Sequence, residues 1–380
     1  MKLLFTINVD WFFISHFLPV AIAAKDAGYD VSIVTCNTGR RKEIEDCGLK
    51  FIELPFRRSG TNFWHETKCI LTLAKIFRRE KPDIIHNITL KACMLSSIAA
   101  KISGQKNVEN AITGFGYNFT DNRKHLKQQI INHLFKFSFR SKKFHFIFEN
   151  PDDLQQFASL NITQKDNIHL IKGAGVDLNQ FSYAPEIEKP KVRFLLPARM
   201  LRDKGIVEYI NAAKKLKEEY ADKAEFLLAG ECDTINLAGI AEEELRKMLD
   251  FPYIQWLGFR KDMYETLKNS DVIVLPSYRE GLPKALIEAC AVGRPIITTD
   301  TTGCRECVID GHNGFLVPVK DTEILLQKMK ILIDNGKKRT EMGKNSRKFA
   351  EKEFSITQVI EKHLIIYRSL LKNENPDNRN

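Results

Sequence analysis

Four charged side chains in the second half of the chain have the types and spacing to do chemistry. In "EGLPKALIE" Glu280 precedes a Gly-Leu-Pro turn, and Glu288 follows it at E-x7-E spacing within a mostly apolar stretch. In "LLPARMLRDKG" Arg199 and Lys204 stand five residues apart around a turn. Two cations at the end of one strand can hold a diphosphate, each charge-assisted bond contributing roughly 1.5–3 kcal/mol. If a bond to that diphosphate breaks, negative charge grows on it, and fixed cations stabilise the transition state more than the ground state. The two carboxylates are acceptors for hydroxyl groups at different points of an extended ligand. A nucleotide sugar is such a ligand, with sugar hydroxyls for one and ribose hydroxyls for the other. The plainer alternative makes the cations surface charges, Glu280 a solvated helix cap and Glu288 the i+4 partner of Lys284.

These residues need strands to carry them to one place, and the sequence supplies the strands. "KLLFTIN" (2–8), "DVSIVT" (30–35), "KFIEL" (50–54), "PDIIH" (82–86), "NVENAIT" (107–113) and "KFHFIFE" (143–149) are apolar β-rich runs, mostly separated by helical patterns, the first helix near 15–27 ending at Gly28. The second half repeats the grammar with "VRFLLPA" (192–198), "AEFLLAG" (224–230), "YIQWLG" (253–258), "DVIVLP" (271–276) and "RPIITT" (294–299). Nearly continuous apolar strands alternating with helices predict parallel sheets covered on both faces. We expect a first domain over 1–181, a linker over 182–191 marked by Pro185 and Pro190, and a second domain over 192–353. A helix over 354–372 is placed to pack back on the first domain, and the polar tail 373–380 is expected to be disordered. Two such domains facing one another leave a cleft at the carboxyl ends of their strands, where ligands of doubly wound sheets bind. Glu280 follows "DVIVLP" and Arg199 follows "VRFLLPA", so both groups meet that edge. Pro283 suits the first turn of a helix whose amino end favours anionic groups, and Asp203 is placed to cap the next helix.

Length and composition agree. A chain of 380 residues exceeds one ordinary core, and 43% apolar with 28% charged residues belongs to a globular protein. Asp10, His16 and Pro19 interrupt the apolar start, which therefore reads as strand, loop and helix; the expectation is a cytoplasmic protein. Eight cysteines are scattered, and only "CREC" at 304–307 has metal-like spacing, without a second pair or clustered histidines; reduced structural thiols are expected. The net charge is +10, and residues 1–175 hold 25 Lys and Arg against 16 Asp and Glu. The first half is thus expected to meet something anionic.

The ordered set of Arg199 and Lys204 in "ARMLRDKG", Glu280 and Glu288 in "EGLPKALIE", and "TTGCRECVIDGHNGFLVP" (301–318) resembles the retaining glycosyltransferases of family 4. The resemblance covers nearly the whole chain and is strongest over 192–318. It implies an α/β chain of the GT-B fold: two Rossmann-like, doubly wound parallel-sheet domains facing across a cleft. It implies that Arg199 and Lys204 bind the donor diphosphate and that Glu280 contacts the donor sugar beside the backbone of Gly281 and Leu282. Glu288 then binds ribose, and the nucleobase lies near "LGFRK" with contacts from Phe259 and Arg260. It further implies a UDP-sugar donor, no cofactor and no metal, in keeping with the lack of a D-x-D motif in the sequence. Retention by same-face attack would leave Glu280 positioning the sugar while a phosphate oxygen helps take the acceptor proton.

The acceptor side is less regular. The family's glycine-rich loop after the first strand is replaced by "NVDWFFISHF". There Ser15 is expected to cap the first helix and His16 to touch acceptor or phosphate, although a lone histidine on an apolar helix also serves packing. "TGFGYNF" adds Gly114, Gly116 and Tyr117 as a second acceptor loop. Residues 122–148 hold Arg123, Lys124, Lys127, Lys136, Arg140, Lys142 and Lys143 with no Asp or Glu, alongside Ile130, Ile131, Leu134, Phe135, Phe137 and Phe139. A basic amphipathic helix of this kind suits an anionic membrane surface, each Lys or Arg contributing about 1 kcal/mol. Arg57, Arg58, Phe63 and Trp64 extend the same rim. The alternative is a core helix with one solvated face. The expectation is a peripheral enzyme on the inner face of the cell membrane. The chain looks closest to bacterial transferases that extend undecaprenyl-diphosphate-linked sugars for O-antigen, capsule or glycoprotein glycans, among them those adding N-acetylgalactosamine or a related hexosamine from a UDP donor. A UDP-N-acetylglucosamine 2-epimerase would share the architecture without needing a lipid-facing helix. A non-enzymatic membrane-surface module would use the basic half alone. Basic residues that travel with aliphatics and phenylalanines speak against nucleic acid.

Overall fold

The structure is a computed structural model that describes residues 1–56, 63–114, 133–234 and 236–372. It divides into two compact units, residues 1–174 together with the chain from Thr357 onward, and residues 175–356.

The first unit is built on a seven-stranded parallel sheet: β1 (Lys2–Ile7), β2 (Asp30–Thr35), β3 (Lys50–Glu53), β4 (Ile84–Ile88), β5 (Val108–Ile112), β6 (Phe144–Phe148) and β7 (Ile168–Leu170). The spatial order is β3-β2-β1-β4-β5-β6-β7. Every residue of β4, β5 and β6 is buried, as expected for strands covered on both faces. Helices Phe63–Glu80 and Leu90–Ser103 pack on the sheet, the latter ending at Gly104 in the left-handed conformation that stops helices. From Thr357 the last helix, Ile356–Lys372, belongs to this unit, with Val359, His363, Ile366, Tyr367 and Leu370 buried.

The second unit has a six-stranded parallel sheet: β8 (Val192–Pro197), β9 (Ala224–Ala229), β10 (Ile254–Trp256), β11 (Val272–Leu275), β12 (Ile296–Thr299) and β13 (Gly314–Val317). Its order is β10-β9-β8-β11-β12-β13. Its core is one cluster running from Phe194 through Tyr209, Ile273 and Leu286 to Met329 and Phe354.

Several expectations change. The start of the chain forms two helices, Asp10–His16 and Leu18–Asp26, instead of one near 15–27; Asp10 lies in the first turn of the first, where its carboxylate accepts the Trp11 N–H at 2.7 Å. Strands β7 and β13 were not read from the sequence: β7 is three half-buried residues, and β13 opens on Gly314 within the turn-rich stretch "DGHNG". Residues 182–191 do not act as a free linker but lie against the second unit. The Ala184 N–H donates to Val292 O at 3.1 Å, and Glu186 pairs with Arg339 at 2.7 Å. The units change instead between Ala174 and Gly175. Among the described residues of 122–148, 133–139 are helical and 144–148 form β6, so the basic stretch is not one long helix.

Candidate functional site

In the second sheet β8 and β11 are neighbours, yet the chain leaves β8 towards β9 on one side and β11 towards β12 on the other. This reversal is the switch point at which open α/β sheets bind ligands. The segments that leave it are 198–205 and 276–283, which carry Arg199, Lys204 and Glu280.

These segments lock together through the backbone. The Tyr278 N–H and the Ser277 hydroxyl both donate to Asp203 O, at 2.8 and 3.1 Å. The Glu280 N–H donates to Thr302 O at 3.1 Å, and the Thr301 hydroxyl donates to Tyr278 O at 3.1 Å. Two glycines permit the approach. At Gly205 (φ +73°) a Cβ would lie 2.2 Å from Pro276 O, and at Gly303 (φ +78°) one would lie 2.4 Å from Gly281 O and 2.5 Å from Glu280 O. The three stretches singled out in the sequence therefore form one constellation.

At its centre Lys204 Nζ donates to Glu280 Oε1 at 2.5 Å, with both side chains largely buried. Arg199 lies on the same segment and donates from Nη1 to Asp233 Oδ2 at 2.6 Å, its side chain 38% exposed. Asp203 sits between these charges. Burial pushes its carboxyl up, Lys204 pulls it down, and Glu280 adds to the rise. Asp203 makes no side-chain cap to the helix Ile206–Tyr220, because Gly205 occupies the cap position. Glu288 lies on the helix Lys284–Val292, nearly buried, 3.4 Å from Lys284 Nζ. Burial raises its carboxyl and Lys284 opposes the rise. Pro283 is the cap residue of that helix and Leu282 is buried in the core, so any ligand contact at Gly281–Leu282 falls to backbone.

Phe259 and Arg260 are exposed and follow β10, the edge strand two places from β8. With Arg193, Glu225, Leu257 and Asp262 they line a cavity of about 500 Å³.

In the first unit Ser15 does not cap a helix. It lies inside Asp10–His16, where its hydroxyl donates to Phe12 O at 3.1 Å and lies 2.5 Å from His16 Nδ1. The cap reading fails because the helix begins five residues earlier, at Asp10. His16 stacks on Phe12, with centroids 4.0 Å apart. Gly114 lies just beyond β5 with φ +138°. Gly116, Tyr117, Arg57, Arg58, Arg123, Lys124, Lys127, Ile130 and Ile131 lie outside the described residues. Lys136 and Arg140 are exposed, as are Leu134 and Phe137, while Phe135 and Phe139 are fully buried, so one stripe packs and the other faces out. Phe63 and Trp64 are also exposed, at 73% and 79%. Among the described residues no helix is long and apolar enough to cross a membrane.

Sequence reasoning missed three features. Asp233, the partner of Arg199, follows β9 by four residues, a position that its place after a strand end signals. Thr89, between β4 and the next helix at the switch point of the first sheet, holds φ +74°, unusual for a β-branched residue. The buried residues His86, Glu109 and His363 come together although no local spacing links them.

Two family models match the chain: "Glycosyl transferase 4-like" over residues 2–150 and "Glycosyl transferases group 1" over residues 179–349. The chain is 29% identical over 377 residues to an N,N'-diacetylbacillosaminyl-diphospho-undecaprenol alpha-1,3-N-acetylgalactosaminyltransferase of Campylobacter jejuni, covering 95% of this chain and 96% of that protein. It is 25% identical over 362 residues to a UDP-Gal:alpha-D-GlcNAc-diphosphoundecaprenol alpha-1,3-galactosyltransferase of Escherichia coli, covering 91% and 90%. Among solved structures it is similar to Anabaena HepE in complex with UDP, with TM-score 0.77, 15% identity, and coverage of 97% of this chain and 100% of that one. The last likeness concerns fold alone. With both units matched and the charged loops assembled at a sheet switch point, the chain belongs to the family 4 glycosyltransferases of the GT-B fold.

Proposed function

We propose that the protein transfers a sugar from a UDP-sugar to a polyprenyl-diphosphate-linked saccharide, with retention of anomeric configuration, in the assembly of a bacterial O-antigen, capsule or glycan. N-acetylgalactosamine is the first choice of sugar, with related hexosamines and hexoses next. The Lys204–Glu280 pair at the switch point of the second sheet carries this reading. The names of the two relatives support the acceptor class, and the first of them supports the sugar.

The chemistry follows from exchange of partners. In the chain by itself each cation is matched to a carboxylate, Lys204 to Glu280 and Arg199 to Asp233. A donor diphosphate offers oxygens to both cations, and the released Glu280 carboxylate accepts hydrogen bonds from sugar hydroxyls. Glu288 exchanges Lys284 for ribose hydroxyls in the same way. As the glycosidic bond lengthens, charge accumulates on the diphosphate where Arg199 and Lys204 stand. These two cations supply the neutralisation for which other enzymes use a divalent ion. The exposed Lys136, Phe137, Arg140, Phe63 and Trp64 support a seat on an anionic membrane, on the cytoplasmic face where the lipid-linked acceptor presents its sugar.

The deciding experiment incubates the protein with a panel of UDP-sugars, with and without a polyprenyl-diphosphate disaccharide, and reads products by mass spectrometry. Acceptor-dependent UDP release with a gain of one sugar mass is expected. Interconversion of the UDP-sugar without acceptor, or no turnover with any donor, overturns the proposal.

A further inference from the structure

The first unit encloses a group of buried polar side chains. His86 on β4 and Glu109 on β5 are direct cross-strand partners in the parallel ladder, so their side chains share one face of the sheet. The last helix lies on that face and contributes His363 and Tyr367, which its i,i+4 spacing places on one stripe. His86, Glu109, His363 and Tyr367 are at most 2% exposed.

Hydrogen bonding within the protein does not account for these atoms. His363 Nδ1 lies 3.5 Å from Glu109 Oε1, and His86 Nδ1 lies 3.7 Å from Glu109 Oε2. His86 Nε2, both Glu109 oxygens and His363 Nδ1 are buried without a hydrogen-bond partner in the chain. A buried carboxylate flanked by two imidazoles at such distances costs several kcal/mol unless something else satisfies it. Because Tyr367 occupies His86 Nδ1, the ligand atom of His86 is its unpartnered Nε2, and the His363–Glu109 distance, long for a hydrogen bond, is near the separation of two ligands on one tetrahedral ion. With metal–ligand bonds of about 2.0–2.1 Å, that separation is roughly 3.3–3.4 Å. One ligand atom from each of the three residues lies within 4.8 Å of the other two, so small rotations suffice to close the site.

We propose that His86, Glu109 and His363 bind a divalent transition-metal ion of the zinc class, which fastens the last helix to the first sheet. Tyr367 Oη, 2.7 Å from His86 Nδ1, is the neighbour that orients the His86 ring, as a ligating histidine requires. The rings of Phe5 and Phe17 wall the cluster, with centroids 4.9 and 5.6 Å from that of His86. Three side chains fill three of the ion's four tetrahedral positions and leave the fourth to a water molecule, and the apolar walls around the buried cluster suit a structural ion. Burial pushes the Glu109 carboxyl up and both burial and His363 push the His86 imidazole down. Metal binding displaces any proton on the ligand atoms to solvent. The ion ties His86 and Glu109 to a helix more than 250 residues away in the chain. Its role is independent of the transferase reaction.

The test expresses the full chain in minimal medium supplemented with Zn(II) or Co(II), removes loose metal on a chelating column, and counts bound metal by plasma mass spectrometry. About one zinc per wild-type chain is expected, with a visible d–d band for the cobalt form. Glu109→Gln and His363→Ala should each lose metal tenfold or more. Wild-type protein holding less than a tenth of an equivalent overturns the proposal, and that measurement needs no variant to fold. So does a full equivalent that both variants retain, because the ion then sits elsewhere.

Discussion

Lys204 Nζ rests 2.5 Å from Glu280 Oε1, although 76 residues of chain separate them. The pair exists because β8 and β11 are neighbours and their following segments are bonded through Asp203, Ser277 and Tyr278. A cation and a carboxylate held this way rest on each other until a ligand offers both a better partner.

Replacing Lys204 with Ala removes one of two charges from the proposed leaving group. Turnover should fall at least tenfold, since one charge-assisted bond in the transition state contributes roughly 1.5–3 kcal/mol. Steady-state kinetics with the best donor checks this, and near-normal kcat removes Lys204 from the reaction.

Glu280→Ala separates sugar positioning from nucleotide binding. Transfer should drop tenfold or more, while UDP affinity measured by calorimetry stays within about threefold of wild type. Unchanged kinetics would leave Glu280 a structural partner of Lys204 with no part in transfer.

Gly303→Ala tests the scaffold without touching a charge. The new methyl group would stand 2.4 Å from Gly281 O, and Gly303 holds φ +78°, so the 301–303 turn must move away from Glu280. A loss of about 1–3 kcal/mol in stability is expected, with a lower Tm and a raised KM for the donor. A variant with wild-type Tm and KM would show that this close approach is dispensable.

Acid should destabilise the first unit through His145. Its Nδ1 lies 3.0 Å from His169 Nε2, and burial, with a smaller push from His169, lowers its pKa from 6.5 to about 4. The unfolded chain therefore binds this proton more readily than the folded one. The stability that neutral His145 contributes is complete above pH 6.5 and is lost as pH falls towards 4, at most on the order of 3 kcal/mol. Thermal melts across that window should show a falling Tm, and His145→Asn should flatten the slope. An identical slope in the variant assigns the acid sensitivity to other groups.

For the membrane seat, the described part of the basic stretch gives the test. Reversing Lys136 and Arg140 to Glu should weaken binding to anionic vesicles about tenfold or more and leave neutral vesicles unaffected. Equal binding by both proteins would move the seat to another surface.

Much of this was legible along the chain. The apolar runs that became β1 to β6 and β8 to β12 announce themselves, since a strand buried on both faces must be apolar nearly throughout. Charges just beyond such strands then fall at the ligand-binding edge by topology alone, which is why Arg199, Lys204 and Glu280 stood out. Ser15 was misplaced because a cap depends on where the helix starts, and this one starts at Asp10. Residues 182–191 looked like a linker because two prolines in polar context resemble one, whereas packing between Tyr183 and Gly293 and between Glu186 and Arg339 holds them down.

What the sequence determined by itself was the kind of protein: two parallel-sheet halves, the loops that bear charge, and the order of motifs that marks the family. Which charges meet was decided only in three dimensions. Strand order and register set the distance between residues far apart in the chain, and no local spacing encodes it. Thus Arg199 found Asp233, Lys204 found Glu280, and His86 and Glu109 met His363 on the last helix.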